Sequence, residues 1–209
     1  MRSLSAQNIF DKKHKTIMLT GLWAEVLGTP EAAGLWIIYG AEKNGKTWLA
    51  LMLAIALSDQ FRVDYVSAEE GTGADFVNSC KRAGLTVNNK RIKFRDYEVW
   101  DDVVKSLKST RPAKILIVDN LTIYQDELSK KAVADLRLEY PNTIFIFLAH
   151  EERNDAVPAL AKHVKKLAKI IFHVRGLSCQ VAGRCPGGII NIDEEKAALY
   201  HGQITKKGG

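Results

Sequence analysis

Residues 35–58 read LWIIYGAEKNGKTWLALMLAIALS. Leu35 to Tyr39 is a wholly apolar, β-rich run, the pattern of a strand buried on both faces. Residues 47–58 form an apolar helical run. Between them Gly40, Ala41, Glu42, Lys43, Asn44, Gly45, Lys46 and Thr47 have the spacing GxxxxGKT, with Trp48 next in the helix. A strand, then this loop, then a helix is the context in which such a loop cradles phosphate. Gly40 and Gly45 allow the turn that points successive N–H groups at an anion. The start of the helix adds partial positive charge. Lys46 is the expected bridge between β- and γ-phosphates, and the Thr47 hydroxyl an expected Mg²⁺ ligand. The competing reading is a chance glycine-rich turn before a helix.

Working outward, strand and helix patterns alternate. Strands are expected at 61–67, 92–94, 115–118, 143–149 and 170–174, and helices at 74–83, 100–109, 125–140 and 159–168. Alternation of this kind means βαβ units and a mainly parallel sheet covered on both faces. Short glycine-separated runs at 180–184, 189–192 and 198–201 predict a closing β-meander. The expected fold is therefore α/β, a three-layer phosphate-loop architecture occupying 31–205, with 1–30 as an N-terminal arm or cap.

Two further strands end in acids. ILIVD, 115–119, is an apolar strand closing on Asp119, placed to hold Mg²⁺ near the phosphates. Alone such an Asp commonly begins a turn; downstream of a phosphate loop it gains meaning. VDYVSAEE, 63–70, ends in Glu69 and Glu70. A carboxylate at the end of a strand beside the loop can polarise an attacking water. Glu69 is the expected base and Glu70 the fallback; two solvated acids opening a turn is the alternative.

The stretches GLWIIYGAEKNGKTWLALMLA, VDYVSAEEG, ILIVDN and IFIFLAHEER together resemble the RecA-like ATPases, in particular the branch of RadA-type proteins, DnaB-type hexameric helicases and small RepA-type helicases of phages and mobile elements. The resemblance spans about residues 33–200. It implies a RecA-type core that hydrolyses Mg²⁺·ATP and acts on DNA, single-stranded by preference, in replication or recombination. It implies Glu69 as the catalytic acid and His150, at the end of 143–150, as a γ-phosphate sensor. It also implies a homo-oligomeric ring or filament, a hexamer first, in which an arginine reaches a neighbour's phosphate; the candidates are Arg153, Arg175 and Arg184, with Arg184 preferred for its glycine-rich surroundings. The RadA-type zinc motif and the DnaB-type primase-binding domain have no counterpart in the sequence, and the late basic motif of the family has only an approximate match at 183–188. A small phosphate-loop kinase and a nucleotide switch that loads or regulates a partner are the competing functions.

Composition sets the frame. With 209 residues, 46% hydrophobic and 26% charged, the chain fits one folded domain. The net charge of +6 and pI near 9.2 favour an anionic partner. Three cysteines, Cys80, Cys179 and Cys185, make no disulfide framework, and no leader or membrane-length apolar run is visible, so a cytoplasmic protein is expected. Cys179 and Cys185 with His173 and His201 lack the spacing of a zinc site. Lys162, Lys165, Lys166 and Lys169, near His163, are spaced i, i+3, i+4, i+7, so they are expected to share one helix face and to contact DNA; a solvated helix face is the alternative. Trp23, Trp36, Trp48 and Trp100 read as core residues. Residues 206–209 read as a frayed tail.

Overall fold

A computed structural model describes residues 3–207, with side chains to 202. The stretch that opens the sequence argument forms β1 (Gly34–Gly40) and α3 (Lys46–Ser58). Every residue of β1 is buried. Alternate β1 side chains feed two separate cores: Trp36 and Ile38 join the cluster that contains Leu49, Leu53 and Leu57 of α3, while Leu35, Ile37 and Tyr39 face the other side. The period of two makes a strand apolar throughout only when both faces are covered, and here they are.

The remaining strands are β2 (Val63–Ser67), β3 (Ile92–Arg95), β4 (Ile115–Asp119), β5 (Ile144–Glu152), β6 (Asp155–Val157), β7 (Ile170–Arg175), β8 (Ser178–Gly183) and β9 (Gly188–Asn191). Their order across the sheet is β3-β2-β4-β5-β1-β7-β8-β9, with β6 paired to β5. From β3 to β7 neighbours run parallel; β7-β8-β9 is antiparallel, the expected meander. The helices are α1 (Ala6–Phe10), α2 (Gly21–Leu27), α4 (Ala74–Arg82), α5 (Trp100–Ser106), α6 (Lys130–Glu139), α7 (Ala159–Leu167) and α8 (Glu194–Lys207). Side chains of α2, α3 and α4 enter the first core, and those of α5, α6 and α7 the second. Val26 and Leu27 of α2 and the fully buried Ile17 lie in the first core, and Thr16 bridges Glu31, so residues 16–27 pack onto the sheet.

Four local expectations change. The helix expected at 125–140 starts at Lys130, because the Ser129 hydroxyl caps it by accepting from the Ala132 N–H at 3.0 Å. The preceding turns instead insert Tyr124 and Leu128 into the second core. The strand expected at 198–201 lies inside α8, whose first turn is held by the Asp193 carboxylate accepting from the Lys196 N–H. That helix also includes Lys206 and Lys207, part of the expected frayed tail; residues 208–209 lie outside the described residues. Finally, β5 runs past His150 to pair with β6 through a two-residue turn in which Arg153 and Asn154 have φ 51° and 63°. Both central residues at positive φ make the tight hairpin turn that matches strand twist. Among the described residues no helix is long and apolar enough to cross a membrane.

Candidate nucleotide-binding site

Sheet register gathers the site. Gly40 lies level with His150 on one neighbour and with Val174 on the other. A Cβ at Gly40 would sit 2.1 Å from the Val174 carbonyl oxygen, so β1 can leave the sheet here only as glycine. Gly45 has φ 99°, and its Cβ would stand 2.8 Å from the Leu177 side chain. The loop is tied down from the turn after β7: the Asn44 side-chain Oδ1 accepts from the Gly176 N–H at 2.6 Å, and the Asn44 side-chain amide donates to the Glu42 main-chain carbonyl at 2.8 Å.

Lys46 opens α3 and is 8% exposed. Its ammonium donates to the Ala41 carbonyl at 3.0 Å. Burial pushes its pKa down, opposed by Asp119, Glu69, Glu42 and Glu151. A desolvated cation with one carbonyl partner is poised for an anion. Asp119 ends β4 level with Ser67 of β2. Its Oδ2 accepts from the Thr47 hydroxyl and from the Tyr65 hydroxyl, each at 2.8 Å. Burial raises the Asp119 carboxyl to about 6, against the lowering effect of those two bonds. A hydroxyl and a carboxylate at the rim of a phosphate loop are hard oxygen donors, the set Mg²⁺ takes when it keeps waters and substrate phosphates as its other ligands.

The backbone N–H groups of Ala68 and Glu69 donate to the Asp119 carbonyl, which ties the end of β2 to the end of β4. Glu69 Oε1 then lies 3.3 Å from His150 Nε2. Asn120, fully buried, joins them: its amide donates to Glu69 Oε2 and lies 2.7 Å from His150 Nε2. Its carbonyl accepts from the Thr122 N–H at 2.7 Å, which fixes the side chain. His150 Nδ1 is buried, with no hydrogen-bond partner among the described residues. In the sequence Asn120 stands out only as the polar residue directly after the acid of an apolar strand, at the end of ILIVDN.

Lys46, Thr47, Glu69, Glu70, Asp119 and His150 line one cavity of about 410 Å³ with Glu42, Lys43, Gly45 and Trp48. Trp48 is half-buried, packed against the first core and also lining the cavity, with the Arg82 guanidinium 4.7 Å from its ring centroid. Arg82 was not anticipated. Arg184 is not part of this group: it follows Gly183, which pairs with Ile170 at the opposite end of β7, and its N–H donates to the Lys169 carbonyl. Arg175 ends β7 at the phosphate-loop end, and Arg153 tips the β5–β6 hairpin.

The lysine face is not a free stripe. Lys162 and Lys165 pair with Asp155 at 3.4 and 3.1 Å, and Lys165 also lies 4.2 Å from the Tyr39 ring centroid. Lys169 lies beyond α7, because Ala168 is extended (ψ 137°), and pairs with Glu31. His173 donates toward Glu151 at 2.9 Å and stacks on Tyr39, and Cys179 lies in the first core.

No protein-family model and no curated protein sequence matches the chain. Solved structures do. The flagellar accessory protein FlaH from Methanocaldococcus jannaschii superposes with a TM-score of 0.61 at 18% identity, over 86% of this chain and 92% of that one. The chain has the RecA-like phosphate-loop fold. The KaiC-like protein PH0186 from Pyrococcus horikoshii OT3 gives 0.58 at 15% identity over 83% and 89% of the two chains, and the ATPase domain of G40P gives 0.55 at 16% over 79% and 84%.

Proposed function

We propose that the chain is a Mg²⁺-dependent ATP hydrolase that works on nucleic acid, single-stranded DNA by preference, as an oligomer. The observation that carries the hydrolase half is the meeting of five side chains from four elements in one cavity: Lys46 and Thr47 at the start of α3, Glu69 after β2, Asp119 on β4 and His150 on β5. Loop N–H groups and Lys46 bind the phosphates. Thr47 and Asp119 would hold Mg²⁺, which when bound neutralises charge on the phosphate oxygens. Glu69 accepts the proton of the attacking water as the water oxygen adds in line to the γ-phosphorus and the bond from that phosphorus to the β-phosphate oxygen breaks, leaving ADP and inorganic phosphate.

Asn120 and His150 orient that carboxylate. His150 therefore reports on phosphate through Glu69, and the hairpin that continues from β5 is the element such a signal reaches first. Of the three arginines weighed for action in a neighbouring subunit, Arg153 and Arg175 are at the phosphate-loop end, which favours them over Arg184.

The test is a pair of variants. Lys46→Ala is expected to abolish binding of a fluorescent ATP analogue. Glu69→Gln is expected to retain that binding while losing at least about 100-fold in turnover, within the range for general-base removal. Turnover by Glu69→Gln at the parental rate would overturn the assignment of the base.

A further inference from the structure

A second cavity, about 500 Å³, opens on the far edge of the sheet and shares no residue with the nucleotide cavity. It runs along β3, the outermost strand, which three strands separate from β1. Among the described residues Arg62, Lys90, Arg91, Lys93, Arg95 and Arg111 line it, against a single carboxylate, Asp64.

The arrangement follows from strand period. Ile92 and Phe94 of β3 pack into or against the first core, which turns Lys93 and Arg95 to the opposite face, with Arg91 just before the strand. On that face α5 covers the sheet with Trp100 and Val103 in the second core, but β3 itself contributes no apolar side chain there. Its half of the face is cationic.

The six cations divide by what holds them. Arg95 pairs with Asp64 and Glu98; Arg91 donates to the Asp59 and Ser58 carbonyls at the end of α3; Arg62 donates to the Arg111 carbonyl at 3.0 Å. Those bonds fix three guanidinium groups in place. Lys90, Lys93 and Arg111 have exposed side chains with no hydrogen-bond or ion-pair partner among the described residues. Three uncompensated charges beside three anchored ones repel one another until an anion enters.

Successive side chains on one face of β3 stand about 6.6 Å apart, a repeat comparable to that of an extended sugar–phosphate backbone. Among the described residues no aromatic ring lines the cavity, so its lining offers phosphate contacts rather than base stacking. We propose that this edge groove binds the phosphodiester backbone of a single nucleic-acid strand, independently of sequence. The proposal rests on the nucleic-acid half of the function above and needs nothing of the hydrolase half. It moves the main contact away from α7, where Lys162 and Lys165 already share Asp155 as an ion-pair partner.

The experiment is fluorescence anisotropy without nucleotide, using labelled oligothymidylate and oligouridylate of about 15 nucleotides, near the upper site size of a single-strand groove. The proteins are the full chain, Lys90→Ala/Lys93→Ala/Arg111→Ala, Lys162→Ala/Lys166→Ala and Lys46→Ala. The two probes distinguish a DNA strand from an RNA strand, and binding of either supports the groove. The edge triple variant is expected to melt like the parent, to lose at least about tenfold in affinity, and to lower the slope of log K against log salt by about 2, three contacts at about 0.7 each. Lys46→Ala and the α7 pair are expected to bind like the parent, and Lys90→Arg/Lys93→Arg to retain affinity. Undiminished binding by the edge triple variant, or loss confined to the α7 pair, would overturn the groove while leaving the proposed function standing. Failure of the parent to bind either oligonucleotide would overturn the groove and the nucleic-acid half together.

Discussion

Asn120→Ala isolates the least expected part of the site. The substitution removes one amide donor to Glu69 and the contact to His150, in a position that solvent does not reach. A hydrogen bond to a charged group is worth about 1.5–3 kcal/mol. If the bond persists in the transition state, turnover falls roughly 10- to 150-fold at about 1.4 kcal/mol per decade. The same change leaves the Thr122 N–H without its acceptor, which costs about 1 kcal/mol and lowers Tm by roughly 2–4 °C in a chain of this size. Nucleotide affinity should stay within about threefold, since Asn120 touches neither Lys46 nor Thr47. Steady-state phosphate release, calorimetric binding and a thermal melt read the three effects separately. A double-mutant cycle decides the mechanism: in a Glu69→Gln background Asn120→Ala should cost turnover almost nothing further, because the carboxylate it orients is gone. Additive losses in the two backgrounds would refute the argument that Asn120 acts through Glu69.

Two more outcomes follow from the same geometry. Asp119 titrates near 6 against an ordinary value of 3.8, so the folded nucleotide-free protein holds its proton more tightly than the unfolded chain; the stabilisation this gives is full below about pH 4 and is lost as pH rises through 6. About two pH units correspond to roughly 3 kcal/mol, so Asp119→Asn should gain stability relative to the parent between pH 4 and 7, read by denaturant titration, and a pH-independent difference would contradict the burial argument. Gly40→Ala puts a methyl group 2.1 Å from the Val174 carbonyl and must separate β1 from β7; a loss of roughly 1–3 kcal/mol or more, with weakened nucleotide binding, is expected by denaturant and binding titrations, and parental stability would refute it.

The elements most legible in the sequence are those whose signal is local. β1, the phosphate loop and α3 could be read from 35–58 because burial on both faces demands an unbroken apolar run, and phosphate binding demands particular residue types at fixed spacing. Asp119, Glu69 and His150 were legible as polar residues closing apolar strands. The helix start at Ser129 and the helix over 198–201 were not, since hydroxyl capping and a single aspartate outweighed short apolar patterns there. Asn120 was equally hidden, because its role exists only when the ends of β2, β4 and β5 lie side by side.

Charge shows the division best. Sequence alone determined that the chain is basic and that one lysine sits in a phosphate loop. It also drew attention to lysines around 165, whose spacing suggested a shared face. Tertiary structure decided which charges are free. Asp155, ten residues from Lys165, folds back on the β5–β6 hairpin to neutralise it, and Glu31 reaches Lys169 from the far side of the chain. Lys90, Lys93 and Arg111 come from separate loops and an edge strand, and no spacing rule connects them. Electrostatic neutralisation acts through space over a few ångströms, so it is set by which strands become neighbours, and that order is written in the sheet rather than in any one stretch of sequence.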